Sequence, residues 1–229
     1  MSVVKVSVAQ MMENNELQDE ILHGHSIIKE IERNDLYTTF YNYNGKLKEE
    51  DIAHINYNPS HIVIANFVDV KAEDNIKSNV LITLLKGSFI QVIKENKVLL
   101  ADGRLGYINP FFIRKFVKDK NLIIPNALSY LEVPYKWGGK TPMGIDCSGL
   151  TFMSYLLAGF TIYRDAKLIS PIKEICPSMM KPNDLVFFKD HVAIYIGGGN
   201  IIHASSKNGM VKIESLSKRN DVMKVGTYV

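Results

Sequence analysis

Short apolar runs broken by polar turn residues fill the first half of the chain, the pattern of β-strands rather than of amphipathic helices. The pattern occurs twice. Val6-Ser7-Val8, a polar run, Leu22-His23-Gly24 and Ile27-Ile28-Lys29-Glu30-Ile31 are echoed roughly 62–63 residues later by Val68-Asp69-Val70, a polar run, Leu85-Lys86-Gly87 and Phe89-Ile90-Gln91-Val92-Ile93. Asn44-Gly45 is echoed by Asp102-Gly103, both Asx-Gly turn signals between strand-like runs. Two small β-barrel units, residues 1–60 and 61–118, are the simplest account. The boundary falls at Tyr57-Asn58-Pro59-Ser60, because Asn-Pro initiates turns, and the basic stretch from Arg114 to Lys120 reads as a solvated linker.

A different pattern runs from residue 119 to 229. Pro125 to Leu131 predicts a short helix that stops before Pro134, since proline disfavours a helical residue ahead of it. Tyr135 to Pro142 is loop and carries the single tryptophan, Trp137. Cys147 to Leu157 predicts a helix of about three turns ended by Gly159, with Leu150, Met153, Leu156 and Leu157 at helical spacing. Strands are expected at Leu185 to Phe188, His191 to Ile196, Asn200 to Ser205 and Met210 to Leu216. A helix followed by an antiparallel sheet gives an α+β fold class.

The second half also gathers the residues with chemistry. A hairpin closed by Gly197-Gly198-Gly199 pairs Ala193 with His203 and His191 with Ser205. Val192, Ile194, Ile196, Ile202 and Ala204 then form the face expected to be buried, and the opposite face holds His191 and His203 as diagonal neighbours within side-chain reach. Cys147 opens the predicted helix, where free backbone amides and the helix dipole favour a thiolate, so alkylation well below the free-thiol pKa of about 8.5 is expected. A cysteine, a histidine base and a second group to orient the base make a nucleophilic set. Asp146 complicates it, because a carboxylate beside the thiol opposes ionisation. It either caps the helix or turns toward a cationic group on a substrate. Cys176 has no such setting and reads as structural.

Composition narrows the classes. Of 229 residues, 27 are basic and 24 acidic, a balance of +3 that gives no nucleic-acid footprint. No apolar stretch is long enough to span a membrane, and Met1 to Asn15 lacks the basic and apolar regions of an export leader, so a cytoplasmic location is expected. Two cysteines fit a reducing compartment. No set of four ligands suggests a structural metal, His23 and His25 having no second pair near them, and no cofactor is expected.

Tyr135-Lys136-Trp137-Gly138-Gly139, Gly144-Ile145-Asp146-Cys147-Ser148-Gly149-Leu150, Asp184-Leu185-Val186-Phe187-Phe188, His191 to Gly197 and Ile201-Ile202-His203-Ala204 resemble, in order and spacing, the motifs of the NlpC-type cysteine peptidases of bacterial cell-wall peptides. The resemblance implies a papain-like catalytic domain over residues 119–229, and the front half is similar to the bacterial SH3-like modules that often precede it. It implies Cys147 as nucleophile, His191 as base, His203 as the group orienting it, and Tyr135 as a contributor to the oxyanion site. Asp146 and Ser148 would hold the amino-terminal L-Ala and D-Glu part of a peptide. Asn183 stands where the family often has glycine. Asparagine tolerates the left-handed turn.

The activity so implied is hydrolysis of the γ-D-glutamyl–diamino acid bond of murein tripeptides or tetrapeptides with a free amino terminus, in cell-wall peptide recycling. The front modules would limit access to one end of the cleft, with Tyr41, Tyr43 and Tyr107 as candidate substrate contacts. The protein is expected to act as a monomer, without nucleic-acid or membrane partners. Two alternatives stay open: a cell-wall peptide binding module with an inactive second half, and amidase or acyl-transfer chemistry on another substrate.

Overall fold

Asn14 and Asn15 both take left-handed backbone angles, φ 51° and 67°, as a two-residue turn between right-twisted strands requires. They close the hairpin of Val8–Glu13 with Glu16–Leu22 in a computed structural model that describes residues 2–29 and 37–228. The chain divides into two compact units, Met1–Phe116 and Val117–Val229. No helix among the described residues is long and apolar enough to cross a membrane.

Within the first unit the hairpin is followed by a turn at Gly24 (φ 77°) and the strand Ser26–Lys29. The same order returns as the hairpin of Phe67–Lys71 with Val80–Leu85, a turn at Gly87 (φ 94°) and the strand Phe89–Lys94. Glu30 and Ile31, the end of the first expected strand, lie outside the described residues. The two turns pack together. Phe89 donates its amide to the His23 carbonyl at 2.8 Å, and a Cβ on Gly24 would stand 2.1 Å from the Phe89 carbonyl oxygen. His25 Nε2 lies 2.9 Å from the Gly87 carbonyl. His23 accepts the Ala101 amide at Nε2, 3.0 Å, which leaves its proton on Nδ1 for the Lys5 carbonyl at 2.9 Å. Both histidines therefore tie backbone to backbone.

The expected closed barrels are not seen among the described residues. One antiparallel sheet runs in the order Asn44–Gly45, Tyr37–Thr39, Ser26–Lys29, Ser2–Val4, Ile52–His54; the other runs Val80–Leu85, Phe67–Lys71, Leu105–Tyr107, Lys97–Leu99, Phe89–Lys94, His61–Val63, Ile113–Lys115. Beyond Asn44–Gly45 the first sheet pairs with the hairpin of Val8–Glu13 and Glu16–Leu22, among the described residues, only through the backbones of Met12 and Lys46. Closure demands a consistent stagger around all strands, and three of the four edge strands, Asn44–Gly45, Ile52–His54 and Ile113–Lys115, are only two to three residues long. Two local expectations also change. Asn44-Gly45 is a strand, not a turn: a Cβ on Gly45 would meet Met11 Cγ at 2.3 Å, so glycine is there for close approach. Arg114 and Lys115, expected as linker, continue the strand Ile113–Lys115, which pairs with His61–Val63.

The second unit carries helices α1 (Ile123–Leu128) and α2 (Cys147–Leu157) and a six-stranded antiparallel sheet, ordered Ile172–Ile175, Lys224–Tyr228, Leu185–Phe188, His191–Gly197, Asn200–Ser205, Met210–Ser215. Every residue of α2 is buried, with α1 on one side and the His191–Gly197 and Asn200–Ser205 strands on another. A helix buried all round needs no polar face, which is why its apolar positions exceed the single stripe expected. The sheet is buried on both faces as well. Val186, Phe188, Ala193 and Ile201, on the face that carries the histidines, pack under Met180, Leu216 and Val222.

Candidate active site

Asp146 is extended (φ −93°, ψ 179°) and its Oδ1 accepts the Gly149 amide at 2.5 Å, so it caps α2 and makes Cys147 the first helical residue. The loop before it is pinned to the helix start. Gly138 donates to Asp146 Oδ2 at 2.8 Å, Asp146 donates to the Gly139 carbonyl at 3.1 Å, and a Cβ on Gly149 would stand 2.2 Å from that same oxygen. Tyr135 is held from the other side by its amide to the Gly209 carbonyl, 2.7 Å.

Arg164, 1% exposed, completes this corner. Its Nη1 reaches Asp146 Oδ1 at 3.0 Å and Ser148 Oγ at 2.8 Å, and its Nη2 reaches Asp146 Oδ2 at 3.2 Å and the Gly139 carbonyl at 3.3 Å. Ser148 Oγ also donates to Asp146 Oδ1 at 3.2 Å. Of the two roles open to Asp146, the geometry shows the capping one. Its countercharge comes from the protein itself.

The hairpin register Ile194↔Ile202 and Tyr195↔Ile201 shifts by one only at Gly197, and it sets His191 diagonally across from His203. Their rings meet edge to face, with His191 Nε2 2.9 Å from His203 Nδ1. On the next strand His203 pairs with Lys212 and Ile201 with Glu214, so Glu214 lies diagonally beyond His203, its Oε2 3.3 Å from His203 Nε2. A cleft of about 430 Å³ is lined by Tyr135, Cys147, His191, His203 and Glu214, with Lys189, Lys207, Lys218 and Arg219 also on its walls.

Burial, then the charge of Asp146, pushes the Cys147 thiol up to about 11, outweighing Arg164 and the Val192 and Ser148 amides that pull it down. This reverses the expectation of a helix-end thiolate. Only 7% of Cys147 is exposed, and desolvation of the thiolate wins over the dipole. His191 is pushed down to about 4 by burial and by the neighbouring His203 and Arg219. His203 is lowered by burial, against the pull of Glu214. Burial, then Cys147 and Asp146, raise the Tyr135 phenol to about 12. Burial thus disfavours the charged forms of both Cys147 and His191, which line the same cleft. A buried thiol next to an imidazole base can carry out acyl transfer by general-base attack.

The NlpC/P60 family pattern matches residues 132–224. Dipeptidyl-peptidase 6 of Lysinibacillus sphaericus is 36% identical over 233 residues, covering 90% of this chain and 86% of that protein. The chain belongs to the NlpC/P60 family. A Gamma-D-glutamyl-L-lysine dipeptidyl-peptidase of Bacillus subtilis is 32% identical over 105 residues, or 42% of this chain and 36% of that protein. The crystal structure of an NlpC/P60 family protein from Bacillus cereus covers 99% of both chains at TM-score 0.81 and 19% identity, a likeness of fold. Membership makes this NlpC/P60 chain one of a family of peptidases.

Two residues of the NlpC/P60 site were not anticipated. Arg164 lies in irregular chain after α2, where no periodicity marks it; the signal was the unexplained charge of Asp146. Glu214 is marked by the strand pattern, since the pairing of Asn200–Ser205 with Met210–Ser215 sets it one diagonal step from His203. In the first unit Tyr107 lines a cavity of about 600 Å³ with Phe67 and Phe112, whereas Tyr41 is buried with its hydroxyl on Asp19.

Proposed function

We propose that this protein is a cysteine endopeptidase that hydrolyses the γ-D-glutamyl–diamino acid bond of short murein peptides, acting in the cytoplasm in cell-wall peptide recycling. The observation that carries the reading is a single cleft holding Cys147, Tyr135 and the hydrogen-bonded pair His191 and His203. The name of the Bacillus subtilis relative, a Gamma-D-glutamyl-L-lysine dipeptidyl-peptidase, supports the bond, and that of the Lysinibacillus relative supports a dipeptidyl-peptidase. The repeated hairpin, turn and strand of the first unit supports reading its two halves as divergent SH3-like modules.

In this reading His191 takes the Cys147 proton as sulfur attacks the γ-carbonyl carbon. The thiol and imidazole sit too far apart in acidity to form an ion pair at rest, so proton transfer and attack proceed together. The Tyr135 hydroxyl, kept protonated by burial, donates toward the developing oxyanion. Collapse breaks the C–N bond, the leaving amine takes the proton from His191, and a thioester remains on Cys147. Water then attacks the thioester with His191 as base, releasing the D-glutamyl carboxylate and the thiol.

The test is mass spectrometry of the protein incubated with L-Ala-γ-D-Glu-diaminopimelate and with its N-acetylated form, beside Cys147→Ala. Release of L-Ala-D-Glu by wild type alone is expected. Equal cleavage of both forms removes the free-amine requirement and leaves Asp146 and Ser148 with the capping corner they form with Arg164. No cleavage of either sinks the peptidase reading.

A further inference from the structure

We propose that Glu214 is a positioning residue that fixes the tautomers of both histidines, leaving His191 Nδ1 as the unprotonated nitrogen available to the Cys147 thiol. The inference rests on the reading of Cys147 and His191 as nucleophile and base. It starts from a buried nitrogen. His203 is 3% exposed, and its Nε2 is sealed from solvent with no polar partner among the described residues other than Glu214 Oε2 at 3.3 Å. The approach falls short of an aligned hydrogen bond in the resting geometry, as hydrogen bonds of free active sites often do.

A neutral imidazole carries one N–H and one lone pair, and a carboxylate only accepts. Glu214 therefore draws the His203 proton to Nε2. His203 Nδ1 is then a lone pair, so the 2.9 Å contact between the rings must be donated by His191 Nε2–H. That leaves His191 Nδ1 bare. Without Glu214 the opposite arrangement is favoured, because a buried N–H with no acceptor costs more than a bare ring nitrogen. His203 would carry its proton on Nδ1 and donate to His191 Nε2. His191 would then be protonated at Nδ1 and unable to take the thiol proton.

Around Glu214, Lys212 Nζ lies 3.7 Å from Oε1 and Arg219 Nη1 lies 3.8 Å from Oε2, while Arg219 is itself clamped by Asp221 at 2.8 Å through both Nε and Nη2. Arg219 also stacks its guanidinium 4.0 Å over the Phe188 ring, which neighbours His191. The carboxylate is thus held between two cations and aimed at one nitrogen.

Long-range proton–nitrogen correlation spectra of the full chain labelled with ¹⁵N-histidine read the tautomers directly, with His191 and His203 assigned by single replacements. Wild type should show both rings in the Nε2–H form. Glu214→Ala should move both to Nδ1–H and lower kcat on the free tripeptide about 10- to 100-fold with KM little changed, the scale of losing the outer partner that orients a metal-binding histidine. Glu214→Gln, whose amide oxygen still accepts but which no longer pairs ionically with Lys212 and Arg219, should keep the wild-type tautomers and near wild-type kcat. A wild-type spectrum with His203 protonated at Nδ1 overturns the proposal even if the alanine variant does not fold. Unchanged tautomers in Glu214→Ala, or switched tautomers with unchanged kcat, overturn it as well. Tautomers that follow Glu214 in a protein that cleaves no murein peptide would uphold the positioning and instead sink the peptidase reading.

Discussion

Replacing Arg164 by methionine removes the guanidinium from a carboxylate that is only 6% exposed. Asp146 would keep the Gly138 and Gly149 amides and the Ser148 hydroxyl but lose a countercharge that contacts both of its oxygens. Breaking a buried pair by removing one partner costs about 3–5 kcal/mol, since the remaining charge stays desolvated. At about 4 °C per kcal/mol for a folding unit of roughly a hundred residues, calorimetry of the full chain should show the second unit's transition lowered by about 12–20 °C. The double variant Asp146→Asn with Arg164→Met tests the cause. Asparagine still caps a helix and carries no charge, so the double variant should be more stable than the two single losses added together. Strict additivity, or an Arg164→Met transition within about 2 °C of wild type, would refute the argument that this pair is a coupled, desolvated unit.

Iodoacetamide should modify Cys147 at a rate still climbing above pH 9, because the thiol is pushed up to about 11, and a plateau below pH 8.5 would contradict the burial argument. His191→Ala should leave that titration in place, since a neutral imidazole lends the thiolate no charge. The acid limb of kcat/KM should fall near pH 4, where His191 protonates, and not near 6.5; the pH profile on the free tripeptide checks it. In the first unit burial depresses His23 to about 4, so the unfolded chain takes up its proton first as pH falls below 6.5. Stability should be flat above that pH and lose about 3 kcal/mol between 6.5 and 4, a loss that denaturant titration would find reduced in His23→Gln. Gly24→Ala should destabilise by at least about 2 kcal/mol, because it combines φ 77° with a methyl 2.1 Å from the Phe89 carbonyl; an unchanged urea midpoint would refute the close packing of the two turns.

Local pattern was enough for much of this protein. The bounds of α2 follow from an Asp cap, an unbroken helix-compatible run and a glycine stop, all interactions within a few residues. The His191 and His203 contact follows from period-two alternation around a glycine turn, and the motif order carries the family. Other features depended on segments far apart in sequence. The strand order of the first unit's sheets, and the strands Ile172–Ile175 and Lys224–Tyr228 that extend the second unit's sheet, were decided by edge pairing that no local run encodes. Gly45 reads as a turn residue in isolation and is a contact residue only because Met11 lies against it. The resting charge state of the site belongs to the tertiary structure as well: a helix start favours a thiolate, but packing that leaves Cys147 7% exposed beside Asp146 makes desolvation the larger effect. Sequence determined which groups meet in the cleft, because hairpin register and helix caps are short-range. Only the fold decided their protonation and their outer partners, Arg164 and Glu214, because desolvation and countercharge are set by whatever the rest of the chain brings close.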